Sequence, residues 1–290
     1  MNIEKVKIVS DSSSDILSID KVPYSYASLK IFTSEKEYTD NEQLDVKGMV
    51  DDLQTYKGKS STSCPNTYDW INAFGDAEYV FCITITASLS DSYNAAVTAK
   101  NMYEEQNPGR RVHVINSLTT GPEMCLIIEK IQELILSGKE FDEIVSEVDE
   151  YMKHTGLLFM LQSMKNLANN GRVSHVAAKM AGILGIRALG KASDRGDLEM
   201  LEKCRGKVNS VEAIIKNLKQ LGYSGGKIRI AHCYNEEFAA SVYDRLIQEF
   251  KNINVKLYLS RGLCSFNQVL YKKYSPMLYS VGDNFLVVIK

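Results

Sequence analysis

The chain has 290 residues, of which 44% are hydrophobic and 24% are charged, and its formal net charge is −2. This near-neutral balance, without a basic run, argues against nucleic acid as a partner and favours a small or neutral one. The ordinary hydrophobic share excludes a disordered or fibrous chain, and the length allows one large domain or two smaller ones.

The N-terminal sequence, MNIEKVKIVSDSSSD, becomes polar too early to form the apolar core of a secretion signal. No apolar segment of 18 residues occurs, so the sequence predicts no membrane span and at most transient contact with a membrane. Six cysteines are scattered without a CxxC spacing. We therefore expect reduced thiols and a cytoplasmic location.

In the first half of the chain, β-rich runs alternate with helical patterns. Strands are predicted over 6–10, 79–85 and 111–115, and helices over 91–106 and 122–136. Strand, helix and strand in this order form right-handed parallel crossovers. We therefore predict an open parallel sheet with flanking helices over residues 1–155.

After about residue 150 the pattern changes. Strands are predicted over 157–161, 197–201, 227–232, 255–259 and 285–289, and helices over 211–221 and 236–250. This order favours an α+β domain with a mixed or antiparallel sheet over residues 156–290. The predicted fold class is thus α/β with two domains.

Two short motifs lack the surroundings that their chemistry needs. The Gly-Lys-Ser at 58–60 would require a glycine at position 53 to form a phosphate loop, where Leu53 stands. The segment GYSGG at 222–226 fits a nucleophile elbow in letters, but it follows a helix and precedes a strand. We interpret it as a connecting turn. The four histidines have no spacing typical of metal ligands.

Polar side chains recur where predicted parallel strands end. Ser12 follows the first strand, Ser88 follows the second, and Asn116 and Ser117 follow the third. The carboxyl ends of parallel strands form a ligand crevice, so these residues would meet around one site, which Thr62 and Ser63 could join. Hydroxyls near helix N-termini suit a small anion, a carboxylate or a phosphate. Helix capping is the alternative for each cluster.

The same clusters, in their order, resemble motifs of the DegV family of bacterial fatty-acid-binding proteins. The similar segments are Val9–Asp15, Thr62–Asn66, Thr86–Ala96, Leu167–Ser174, Lys203–Gly206 and Ile230–Asn235. They span nearly the whole chain, as one unit over about residues 5–288. Within the second segment, Cys64 and Asn66 stand where the family usually has Gln and Ser.

The resemblance implies that one long-chain fatty acid lies between two domains. Thr62 and Ser90 would hold its carboxylate, with Arg205 as a third contact. Supporting residues would be Ser12, Ser63, Ser88, Asn116, Ser117, Gly171 and Arg172. The acyl tunnel is expected to use apolar stretches such as 157–161 and 180–189, and no cofactor is implied.

The resemblance further implies a carrier for lipid metabolism or transport that presents its fatty acid to a separate fatty-acid kinase and has no nucleotide site of its own. Two other functions stay open: a diverged binding module for another small anion, and a hydrolase that uses Ser90 or Ser12 as its nucleophile. The hydrolase would need a His or Lys within reach of that serine.

Overall fold

The predicted strands and helices are all present, within about four residues of their expected bounds, and further elements join them that the sequence patterns did not predict. The structure is a computed structural model that describes residues 1–173, 186–268 and 285–289. Its strands are β1 (Val6–Asp11), β2 (Tyr24–Ala27), β3 (Lys30–Phe32), β4 (Glu37–Thr39), β5 (Ser61–Ser63), β6 (Tyr79–Thr84), β7 (Arg111–Asn116), β8 (Gly156–Leu161), β9 (Ile186–Ala192), β10 (Leu198–Arg205), β11 (Gly226–His232), β12 (Ile253–Leu259) and β13 (Phe285–Ile289). Its helices are α1 (Val46–Thr55), α2 (Thr67–Phe74), α3 (Ser92–Gln106), α4 (Pro122–Leu136), α5 (Phe141–Met152), α6 (Lys165–Asn169), α7 (Lys207–Gln220), α8 (Glu236–Glu249) and α9 (Gly262–Gln268). Of the segments discussed above, Ser174, residues 180–185 and residues 269–284 lie outside the described residues.

Three sheets organise the described residues. The first has four parallel strands in the order β2-β1-β6-β7. The second has six strands in the order β10-β9-β8-β13-β11-β12, in which only the β11–β12 pair is parallel. A small antiparallel sheet, β4-β3-β5, lies beside them. A parallel first sheet and a mixed second sheet confirm the predicted fold class. The division at residue 155 stays a prediction.

The first sheet is covered by helices on both faces. On one face, Phe81 of β6 stacks on Phe141 of α5, with ring centroids 4.8 Å apart, within the core that α4 also joins. On the other face, α2 and α3 bury Trp70 and Tyr103. Strands buried on both faces carry continuous apolar runs, which is why YVFCITI predicts a strand so clearly.

Helix α4 joins the two halves. Its Leu126 packs into the core of the second sheet. Its Glu129 accepts two hydrogen bonds from Arg229 of β11, one of them from Nε at 2.9 Å, and Lys256 of β12 lies 3.0 Å from the same carboxylate. Arg229 is only 2% exposed, so removal of Glu129 would leave a buried charge without compensation. The ion pair therefore fixes α4 against the second sheet.

The GYSGG segment links α7 to β11, as predicted, and Asn66 caps α2. The Asn66 side chain accepts the N–H groups of Tyr68 and Asp69, and the Asp69 carboxylate accepts the Asn66 N–H at 2.8 Å. This reciprocal capping box sets the start of α2 and thereby the position of the strand before it, β5.

The pKa of Glu123 gives a test of how the halves are joined. Glu123, in the first turn of α4, accepts a hydrogen bond of 2.6 Å from the hydroxyl of Thr155, the residue before β8. Burial raises its pKa from 4.5 to about 7. The folded protein therefore binds a proton that the unfolded chain releases, so this stabilising contribution is present below about pH 4.5 and is lost as the pH rises through 7.

We expect Glu123→Gln, which keeps an acceptor for Thr155 but does not ionise, to become more stable relative to the wild type by about 2.5 kcal/mol between pH 5 and pH 8. Urea unfolding of both proteins at the two pH values measures this difference. A difference that stays constant with pH would contradict the burial of an ionisable carboxyl at this position.

Candidate functional site

The carboxyl end of β1 is organised by the buried carboxylate of Asp11. Its Oδ2 accepts hydrogen bonds from the Ile85 N–H, at 2.8 Å, and from the Ser92 hydroxyl, at 2.7 Å. Its Oδ1 accepts from both the N–H, at 3.2 Å, and the hydroxyl of Ser13. Burial raises the pKa of Asp11, and these hydrogen bonds oppose that rise. Asp11 therefore joins the end of β1 to the end of β6 and to the start of α3.

The loop between β6 and α3, residues 85–91, is held at both sides. Asn116 at the end of β7 accepts the Ala87 N–H at 3.0 Å. The exposed Ser88 donates at 2.8 Å to the carbonyl of Arg195, in the turn between β9 and β10. The loop thus bridges the first and second sheets, and the predicted residues Asn116 and Ser88 serve to hold it there.

A mainly apolar cavity lies between this loop and the second sheet. The empty space between its walls is about 640 Å³, part of which is open to solvent. It is lined by Leu29, Thr62, Cys64, Ile85, Leu89, Ser90, Thr120, Phe159, Leu161, Leu167, Arg172, Leu198, Leu263, Cys264 and Asn267. Both halves of the chain contribute to this lining.

Thr62 and Ser90, the two residues predicted to hold an anion, both line this cavity. Thr62 lies in β5, where it pairs with Ile31 of β3. The Ser90 hydroxyl accepts the Ser92 N–H at 3.2 Å at the start of α3. Both residues are half-buried.

Arg172 supplies a cation to the same lining. Gly171, whose φ is +73°, turns the chain after α6, and the Arg172 N–H then bonds to the Leu167 carbonyl at 2.8 Å. The Arg172 Nε donates at 2.7 Å to the carbonyl of Leu89, beside Ser90. Burial lowers the pKa of the guanidinium, and the desolvated cation would gain from an anionic partner.

Arg205, expected as a third contact, lies elsewhere. It is exposed at the end of β10, seven residues beyond Leu198, which is the residue of β10 that lines the cavity. At about 3.3 Å per residue, this distance is about 20 Å along the strand. A family motif does not show which part of a strand borders the cavity. The structure places Arg172, and not Arg205, in the cavity lining.

Three further predicted residues bond to backbone groups or face solvent. Ser12 is buried and its hydroxyl accepts the Leu29 N–H at 3.0 Å. Ser117 is buried and donates to the Thr119 carbonyl at 3.1 Å. Ser63 is exposed, on the side of β5 opposite to Thr62. Ser12 and Ser117 thus bond to the backbone, and none of the three serines lines the cavity.

Helix α9 contributes cavity residues that the sequence patterns missed, among them Asn267. Two buried carboxylates of the first half hold its N-terminus: Asp15 Oδ1 accepts the Arg261 N–H at 2.8 Å, and Asp40 Oδ2 accepts the Leu263 N–H at 3.2 Å. Burial raises the pKa of Asp40 to about 6. Both aspartates lie more than 200 residues before α9, so no local sequence pattern predicts these contacts.

Asn166 of α6 links two walls of the cavity. Its side-chain NH₂ donates at 2.6 Å to the carbonyl of Phe266 in α9, and its Oδ1 accepts from the Ser60 hydroxyl at 3.4 Å. Ser60 precedes β5, the strand of Thr62, and Phe266 precedes Asn267. Asn166 therefore fixes the distance between the polar groups on the two walls.

The two cysteines of the lining behave as apolar groups. Burial, together with the nearby Asp91, raises the pKa of the Cys64 thiol. Burial also raises the pKa of Cys264, which donates a hydrogen bond to the Ser13 carbonyl. Protonated thiols add no negative charge to the cavity, so both are compatible with an anion there.

Two features typical of other classes of protein are absent from the part of the chain that the structure describes. Histidine, cysteine and carboxylate side chains form no group of three there that would hold a metal ion. Of the helices in the same ranges, none has both the length and the apolar composition needed to cross a membrane.

Comparison with known proteins yields related sequences and structures. A family model described as "Uncharacterised protein, DegV family" matches residues 5–262. A DegV domain-containing protein of Streptococcus pneumoniae is 37% identical over 264 residues, which cover 90% of this chain and 94% of that protein. The chain therefore has relatives over nearly its whole length.

Two crystal structures are similar to the whole chain. A DegV family protein from Eubacterium eligens, loaded with heptadecanoic acid, has a TM-score of 0.92 and 38% identity, with 98% of this chain and 99% of that chain covered. The Streptococcus pneumoniae Fatty Acid Kinase (Fak) B3 protein, loaded with linoleic acid, has a TM-score of 0.92 and 33% identity, with 99% of both chains covered.

The role of Asp11 can be tested through stability. Four donors face its two oxygens, whereas an Asn side chain offers one oxygen and one NH₂ group. We expect Asp11→Asn to lower the free energy of unfolding by about 2–4 kcal/mol, because buried donors lose their acceptor.

Urea unfolding measures the effect, with Asp91→Asn as the control, since Asp91 is exposed at the start of α3. The control should change stability by less than about 0.5 kcal/mol. Equal stabilities of the two variants would contradict the central position of Asp11.

Proposed function

The chain belongs to the DegV family, and we propose that it binds one long-chain fatty acid in the cavity between its sheets and presents the carboxylate to a separate fatty-acid kinase. One observation supports this most directly: Thr62, Ser90 and Arg172, which include two of the three predicted carboxylate contacts, line the same largely apolar cavity. The related structures that carry heptadecanoic and linoleic acid point to the same ligand class.

The polar groups suit a carboxylate. The hydroxyls of Thr62 and Ser90 would each donate one hydrogen bond, and the Arg172 guanidinium would supply the opposite charge. All three residues are half-buried, so the carboxylate would lie near the cavity opening, where a second protein reaches it. Asp91, beside Ser90, is exposed and accepts a hydrogen bond from Asn94 at 3.5 Å, so water and salt screen its charge.

The apolar lining would supply most of the affinity. At roughly 0.8 kcal/mol per buried CH₂, a chain of about 16 carbons contributes on the order of 12 kcal/mol before the costs of ordering and association. Side chains such as Ile85, Phe159 and Leu161 provide that surface. The hydroxyls and Arg172 then orient the ligand.

A carrier rather than an enzyme is the proposal that fits this lining. Within the described residues, the lining contains no histidine, lysine or carboxylate that would act as a base for Ser90. We propose that the protein works in the cytoplasm of a bacterium, in fatty acid metabolism or lipid transport, with a fatty acid as ligand and no cofactor. The kinase would bring the nucleotide.

The head-group contacts are tested by Thr62→Ala combined with Ser90→Ala. We expect the dissociation constant for heptadecanoic acid to rise at least about tenfold, because a hydrogen bond to a charged group contributes about 1.5–3 kcal/mol. Isothermal titration calorimetry measures it. Ser61→Ala, an exposed position in the same strand, is the matched control and should bind as the wild type does. Unchanged affinity in the double variant would exclude these hydroxyls as the carboxylate site.

A second comparison separates the two arginines. Arg172→Gln should weaken heptadecanoic acid binding about tenfold, while Arg205→Gln, about 20 Å away along β10, should leave it unchanged. Methyl heptadecanoate, which lacks the charge, should bind both variants equally. Loss of binding on replacement of Arg205 alone would place the carboxylate at the other end of the sheet.

A further inference from the structure

The first turn of α9 is bonded to two carboxylates that the first half of the chain supplies. Asp15 lies in the segment between β1 and β2, and Asp40 directly follows β4. Asp15 accepts the Arg261 N–H, and Asp40 accepts the Leu263 N–H. Leu263 also lines the cavity. The position of one cavity wall therefore depends on hydrogen bonds to these two side chains.

The docked helix excludes water from both carboxylates. Asp40 is fully buried, and a Cβ atom at residue 262 would overlap its carboxylate group, so the Gly262 backbone lies directly against it. The Oδ2 atom of Asp15 is buried as well. Among the described residues, neither this oxygen nor Oδ1 of Asp40 has a hydrogen-bond partner. Each carboxylate thus loses water when α9 docks and regains only part of the lost hydrogen bonds.

The surrounding charges compensate this loss poorly. Arg261 is a cation that faces both carboxylates, but its guanidinium donates to the Asn41 carbonyl at 2.9 Å. The two carboxylates repel each other, and Asp11 adds a further negative charge near Asp40. Burial raises the pKa of the other titratable groups that face the pair, which therefore stay neutral: Tyr26, Cys125, Cys233, Tyr258 and Cys264. These surroundings favour the protonated form of the pair.

The pKa values of the two groups link the position of α9 to pH. Burial raises the pKa of Asp40 from 3.8 to about 6 and that of Asp15 well above 3.8, against the hydrogen bonds from α9. Release of α9 would return water to both groups and restore the ordinary pKa of an aspartate. The docked state thus binds protons more tightly. This contribution to docking is complete below about pH 3.8 and is lost as the pH rises through 6.

We propose that Asp15 and Asp40 act as a pH-sensitive switch on the first turn of α9. With the pair protonated, this turn stays against the cavity; with both carboxylates ionised, the turn is released and the wall at Leu263 opens. The end of the helix stays attached through Phe266, whose carbonyl accepts a hydrogen bond of 2.6 Å from Asn166. The switch does not depend on what the cavity binds, whereas its effect on a fatty acid, faster exchange at higher pH, rests on the proposed function.

Amide hydrogen exchange, followed by NMR in the full chain, tests the switch directly. Protection of the Leu263 N–H, relative to an unprotected amide at the same pH, reports the release of this turn. We expect this protection to fall at least about tenfold between pH 5 and pH 8, from the raised pKa of Asp40 alone. It should also be lower than that of Ala99, a fully buried residue of α3, because the release is local.

Variants identify the groups that titrate. Asp15→Asn combined with Asp40→Asn keeps an oxygen for each N–H but removes both ionisable groups, so the fall in Leu263 protection should disappear. Asp40→Asn alone should make the fall about tenfold smaller, and it decides the question if the double variant does not fold. The matched control is Asp20→Asn, at an exposed aspartate of the same half, which should keep the wild-type fall.

The effect on a ligand is measured with methyl heptadecanoate, which does not titrate, as its rate of transfer from the protein to excess phosphatidylcholine vesicles. Transfer should be about tenfold faster at pH 8 than at pH 5 for the wild type and equal at both pH values for the double variant. Equal rates for a wild type whose Leu263 protection does fall would contradict a role of α9 in ligand exchange.

Two results would overturn the switch itself, whatever the cavity binds: Leu263 protection equal to that of Ala99 at both pH values, or variants that keep the full wild-type fall. A wild type that binds neither heptadecanoic acid nor its methyl ester would overturn the proposed function instead, and the amide measurement would still decide the switch.

Discussion

The cavity depends on one buried carboxylate, that of Asp11, and on the hydrogen bonds that it accepts. Without it, the Ile85 N–H and the Ser92 hydroxyl would be buried without an acceptor, and the loop that carries Leu89 and Ser90 would lose its anchor on β1. The price of this arrangement is the desolvation of a charge, visible in the raised pKa of Asp11. The parallel sheet brings the ends of β1, β6 and β7 to one edge. The hydrogen bonds that Asp11 accepts there fix the segments that follow β1 and β6.

The charged side chains around the cavity have two separate roles. Asp11, Asp15 and Asp40 accept backbone N–H groups and thereby set loops and the start of α9, away from the ligand space. The lining itself carries hydroxyls, thiols and Arg172 but, within the described residues, no carboxylate. Among the described lining residues Arg172 is the one charged side chain, and its positive charge favours an anion. This separation explains how a region that contains three aspartates can also contain a site for a carboxylate.

Much of this architecture could be predicted from the sequence. The apolar runs of β1, β6, β7, β8 and β11 and the helical spacing of α4 are strong signals because these elements are buried on defined faces. No sequence signal predicts the three-residue strands β3, β4 and β5. In β5 two of three residues are exposed, and only pairing with β3 makes it a strand. Thr62 and Ser90 could be predicted from motif resemblance, whereas Asn267 and Asn166 reach the site only through contacts distant in sequence. Arg205 shows the limit of such reasoning, since a motif does not tell which end of a strand faces the cavity.

The most direct test of this account is a crystal structure of the protein with heptadecanoic acid. The account predicts continuous electron density for one acyl chain in the cavity, with a carboxylate oxygen within hydrogen-bond distance of the Thr62 and Ser90 hydroxyls and the chain against the apolar side chains of the lining. Density with the carboxylate at another end of the cavity, or a cavity occupied only by water when the acid is in large excess, would contradict it.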